Sequence, residues 1–227
     1  MLAAIALLAA APASAAERRY TVTDFDRIVV EGPFSVTLST GRAPSATAAG
    51  SSSALERVSI EVQGRTLRIR PNRSAWGGNP GETAGAVQIA VSTHDLRAAT
   101  LSGSGSLGID KARAMRVDLA LSGSGRLSLG AVETDSLFLG AVGAGTIEIG
   151  GKAKEMRATI QGAATLAGGA LLVDDGRIDA ATTGDVVVGI RRTAKLISSG
   201  SGNVEVAGSP ACTVEASGAG LVTCGND

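Results

Sequence analysis

The single histidine, His94, stands in Ser92-Thr93-His94-Asp95-Leu96, a short connection between two alternating apolar segments. A serine hydrolase needs an imidazole held between an activated serine and a supporting carboxylate. Adjacent His and Asp on one short loop do not make that geometry, and one His without Cys or carboxylate partners does not build a zinc site. His94 therefore reads as a solvated turn residue. Asp174, Asp175, Asp179 and Asp185 lie close together in the chain, with Arg177 among them. Two carboxylates flanking one bond are the equipment of a glycosidase, and acidic calcium ligands beside a basic residue that of a polysaccharide lyase. Such enzymes also need a groove with aromatic platforms, and the chain has one Trp, one Tyr and three Phe. The aspartates are thus read as a solvated acidic patch, and no catalytic, cofactor-binding or metal-ligating residue is assigned. Trp76, on the Gly-rich stretch Trp76-Gly77-Gly78-Asn79-Pro80-Gly81, is a possible partner contact, since a loop tryptophan is an efficient anchor. It could equally fold back on the body of the protein.

Whatever these side chains do, a repeat must position them. Gly105, Gly125, Gly145, Ala164, Gly184, Gly202 and Gly220 recur every 18 to 20 residues. Two positions after each stands a branched apolar residue: Leu107, Leu127, Ile147, Leu166, Val186, Val204 and Val222. The residue between is polar in all but the last turn. Six positions before each anchor lies another apolar column, from Ala99 through Leu119 and Leu139 to Val214. Period-two alternation that returns every turn predicts strands buried on one face and stacked in register as parallel sheets. Between the two strands of a turn sit corners such as Ser122-Gly123-Ser124-Gly125, where only small residues fit. The expectation is an all-β fold, a right-handed parallel β-helix (β-solenoid) of about seven turns over residues 97–227. Residues 17–96 lack the glycine corners but alternate as strands, with Gln63-Gly64 at a tight hairpin. They are expected to pack on the solenoid and cover its first turn.

The ends carry two further expectations. Leu2 to Ala11 is an apolar run too short to span a bilayer, followed by Ala13-Ser14-Ala15, the small-x-small pattern of a cleavage site. Residues 1–16 thus read as a signal peptide, and the mature chain as exported and not membrane-spanning. Cys212 and Cys224, the only cysteines, lie six residues to either side of Gly218 in the last turn. Even spacing turns both side chains inward, and export favours oxidation, so they are expected to form a disulfide. Two buried free thiols and a redox pair are the alternatives.

Composition removes some partners. The 21 basic residues balance the 21 acidic ones, so no net field steers the chain to nucleic acid. With aromatics at 2%, stacking platforms for bases are scarce too.

Phe25-Asp26-Arg27-Ile28-Val29-Val30-Glu31-Gly32-Pro33-Phe34-Ser35-Val36, then Leu67-Arg68-Ile69, then Asp95-Leu96 leading into Leu101-Ser102-Gly103-Ser104-Gly105, stand in a telling order. In these segments the chain resembles the auto-transporter adhesin head GIN domain family over almost its whole mature length. That resemblance implies an exported bacterial protein of stacked strands and brings no catalytic residues with it. The function expected is a non-catalytic envelope or surface module, periplasmic, outer-surface or secreted. It would bind an envelope protein, a glycan or its own copies, without a cofactor. The alternative is a carbohydrate-active β-helix enzyme.

Overall fold

The computed structural model describes residues 16–72 and 86–225, so residues 1–15 of the leader and the Trp76 contact lie outside the described residues. Among the described residues the fold is all-β apart from one short helix. In chain order the first half runs β1 (Ala16–Tyr20), β2 (Arg27–Glu31), β3 (Ser35–Thr40), β4 (Ser45–Gly50), α1 (Ser52–Glu56), β5 (Val58–Gln63), β6 (Thr66–Pro71) and β7 (Gln88–Thr93). The second half runs β8 (Ala98–Gly103), β9 (Ser106–Gly123), β10 (Arg126–Gly143), β11 (Thr146–Gly162), β12 (Thr165–Thr182), β13 (Val186–Ser198), β14 (Val204–Ala207), β15 (Ala211–Ala216) and β16 (Val222–Cys224). From β8 onward these make a β-solenoid of about six turns.

The columns read from the sequence are the hydrogen-bonded register. Leu107 pairs with Leu127, Leu127 with Ile147 and Ile147 with Leu166, all of them fully buried. Arg126, one residue from Leu127, is exposed beside Ser106 and Thr146. The core is a pile of thin aliphatic layers because each turn contributes only a few inward side chains.

Each turn has a third side that the two-strand reading did not contain. In β9 the alternation loses phase at Asp110-Lys111 and again at Met115-Arg116, where two exposed residues stand together. Pairing with β10 skips Asp110 and Met115, which marks both as bends. The intervening segment is short, and Ala112 and Val132 are its inward residues. So small an apolar signal is hidden between charged neighbours.

Two glycines of a corner are needed for different reasons. Gly123 sits at φ 111°, a conformation costly for any residue with a Cβ. Gly125 has ordinary φ, but a Cβ there would lie 2.5 Å from the carbonyl oxygen of Gly105 in the previous turn. One glycine makes the bend and the other lets the turns stack.

At the amino-terminal end the columns continue past β8. β2 pairs in parallel with β8, and β3 with β9; β6 and β7 then pair in parallel with β2 and β3. Ile28 and Val36 thereby extend the columns of Ala99 and Leu107. Antiparallel strands finish this end: β5 on β6 through a turn with Gly64 at φ 62°, β4 on β7, and β1 on β4. The columns thus end under short antiparallel strands, with β1 and β5 as the outermost ones.

The chain visits these layers out of order, since β2–β3 lies between β6–β7 and the first full turn. The connection from β7 to β8 must pass the β2–β3 layer, and Asp26 secures that crossing. Its buried carboxylate accepts from Arg65 Nε at 2.9 Å, with Arg97 Nε 3.8 Å away. Its backbone carbonyl accepts from Arg97 N at 2.8 Å. Phe25 beside it is fully buried, and the Thr93 hydroxyl donates to its carbonyl. The Phe25-Asp26 pair thus joins neighbouring layers.

Candidate functional site

The acidic patch lies on β12 and the corner after it, and its carboxylates diverge. Asp174 binds Arg191, and Asp175 binds Arg192 and Thr193, both across to the next turn. The Thr193 hydroxyl at 2.6 Å, helped by the charge of Arg192, lowers the Asp175 carboxyl from its ordinary range. Arg177 donates to Asp179 on the same strand at 3.2 and 3.3 Å. Asp185 accepts from the backbone N of Asn203 at 3.2 Å, one turn on. Each carboxylate is taken up locally by its own partner. Among the described residues no group of three or more His, Cys, Asp or Glu is placed to hold a metal ion.

His94 lies at the crossover connection, exposed, with Nδ1 3.1 Å from Asp24 Oδ1. Its imidazole is joined to Asp24 rather than to the adjacent Asp95.

Cys212 and Cys224 are disulfide-bonded, with Cα atoms 6.4 Å apart. Their columns are the inward ones expected, Cys212 continuing Ala194 and Cys224 continuing Val206. Cys212 is nevertheless exposed and Cys224 half-buried, because no described residue stacks beyond the last turn to cover them.

The outer face of the sheet formed by β8 and the later segments of β9 to β12 carries a feature that no motif announced. One outward column runs Asp118, Phe138, Arg157, Arg177, and the next runs Thr100, Ala120, Gly140, Thr159, Asp179. Small side chains in the second column leave a depression of about 540 Å³ beside the larger ones of the first. The Arg116 guanidinium packs over the Phe138 ring, 4.0 Å from its centroid, and Arg157 approaches to 6.0 Å. Arg116 is held in turn by Asp118 through hydrogen bonds of 2.9 to 3.1 Å. Arg157 is exposed and has no carboxylate partner among the described residues. The only signal in the sequence was a phenylalanine at an outward position, which becomes legible once the register is known.

No curated protein matches the chain. Solved structures do. A putative adhesin from Bacteroides fragilis superposes with a TM-score of 0.81 at 17% identity, covering 94% of this chain and 97% of its own. A putative lipid binding protein from Parabacteroides distasonis gives 0.74 at 18%, covering 95% and 98%. A putative adhesin from Parabacteroides merdae gives 0.71 at 17%, covering 95% and 98%. At these identities the likeness is one of fold. The model of the family described as "Putative auto-transporter adhesin, head GIN domain" matches residues 24–210, from just before the Phe25-Asp26 pair to the turn before the disulfide. The chain belongs to that family.

Proposed function

We propose that this protein is an exported, non-catalytic envelope module that binds its partner on the outer faces of the solenoid. The observation that carries the reading is how the acidic patch is engaged: Asp174, Asp175 and Asp185 each pair with a different group of the next turn, and Asp179 pairs with Arg177 on its own strand. A hydrolase or lyase needs acid and base converging on one bond. Long rigid sheets with polar columns suit binding instead, as extended repeat surfaces do. The family carries an adhesin label, and the structural neighbours are named as putative adhesins and a putative lipid binding protein. A disulfide and the lack of any described helix able to cross a membrane accord with export.

The test is an assay of the 17–227 chain against a panel of polysaccharides, scoring new chain ends. None is expected. Turnover that disappears in Asp179→Asn or Asp185→Asn would overturn the reading and install the enzyme in its place.

A further inference from the structure

Gly140 is the residue from which a ligand site can be argued. It lies inside the last straight segment of β10, paired on both sides, where glycine weakens a strand and has to be explained by geometry or by something that approaches it. Backbone geometry does not explain it, since its φ is not in the positive range. Packing does not either, because a Cβ built there meets nothing within 4 Å. Corner glycines such as Gly123 and Gly125 are constrained by one or the other; Gly140 is constrained by neither. Its effect is to keep the outer face open between Ala120 and Thr159, at the floor of the depression.

We infer that this depression binds an acidic glycan, with the carboxylate of a uronic acid residue on Arg157 and the sugar ring over Gly140. The inference rests on the binding-module reading and gives it a place and a ligand class. Arg157 is the cation of this face without a carboxylate, whereas Arg116 and Arg177 are occupied by Asp118 and Asp179. Arg116 packs on Phe138, and Arg157 reaches the edge of cation–π range at 6.0 Å, which favours positions of its guanidinium beside the ring. A guanidinium offers a carboxylate two parallel N–H donors. Thr100 and Thr159 supply hydroxyls along the floor, and Asp118 and Asp179, whose oxygens already accept from Arg116 and Arg177, keep lone pairs that can accept from sugar hydroxyls.

A peptide fits less well. Peptides commonly join a sheet through main-chain hydrogen bonds at an open edge, but here each strand is already paired on both sides. Recognition must come from side chains that protrude from a closed sheet, which suits a ligand bearing hydroxyls and carboxylates. From Thr100 to Thr159 the floor crosses four layers, roughly 14 Å at the usual strand spacing, enough for a short oligosaccharide.

The test is titration of the 17–227 chain with trigalacturonate, with neutral maltotriose and a hexaglutamate peptide as controls. Trigalacturonate should bind saturably and maltotriose at least about tenfold more weakly, the loss expected when a charge-assisted pair is missing. Arg157→Ala should cost a similar factor. Gly140→Val should fill the floor and abolish binding while melting no lower than the parent, since a β-branched residue suits an open strand site. Unchanged trigalacturonate binding in Gly140→Val would overturn the site, and so would hexaglutamate binding as tightly as the sugar. Failure to bind trigalacturonate by a chain that still binds envelopes would sink this site and leave the binding-module reading standing; failure to bind either would remove both.

Discussion

Cys212 and Cys224 close a loop across the last turn, and their value lies in where that turn sits. β15 and β16 each pair on one side only, so their ends would fray before any inner turn. Linking residues 12 apart removes unfolded-chain entropy worth about 3 kcal/mol in the loop-closure picture. Cys212→Ser, Cys224→Ser and the double variant should therefore all be less stable than the parent by about that amount and melt at a lower temperature. Reductant should lower the parent equally and leave the double variant alone. A reductant effect on the double variant would show that the loss arises elsewhere. This pairing could be read from the repeat because both cysteines fall on inward columns. The role of Asp26 could not, although the residue stands out in the Phe25-Asp26 segment. Its partners Arg65 and Arg97 are 39 and 71 residues away, and only the out-of-order layering brings them together.

Among the elements, the parallel strands were legible because their apolar residues return every turn, whereas the third side of each turn was not. In β9 to β11 its inward positions are few and mostly small, Ala112 and Ala153 among them, and flanking charges mask the alternation. The amino-terminal strands were legible as strands but not as layers of the stack. They lack glycine corners, and β3 leads away to β4 instead of directly into the next layer. Register is the claim at this scale that a substitution can test. Leu127→Asp places a charge among fully buried neighbours and should cost at least about 3 kcal/mol or prevent folding. Arg126→Asp alters an exposed ion pair with Glu148 and should shift the melting temperature only slightly. Equal losses in the two variants would mean the strand is slipped by one residue, which exchanges every inward side chain for its outward neighbour.

For the molecule as a whole, the charges explain how a chain with no net charge carries so many of them. Arg113 bonds Glu133, Lys154 bonds Asp135, Arg191 bonds Asp174 and Lys195 bonds Glu215, each one turn away. The hydrogen bond to Asp135 raises the Lys154 ammonium above its ordinary range. Such exposed pairs contribute little stability singly. They do neutralise the outer faces, which leaves recognition to places where the pairing is incomplete, as at Arg157 beside Gly140. The measurement that bears most directly on the account is an equilibrium isotherm of the 17–227 chain on isolated bacterial envelopes, with the supernatant assayed for released sugar. Saturable retention without released sugar is the predicted result. Absence of saturable retention, or release of soluble sugar by the bound protein, would contradict it.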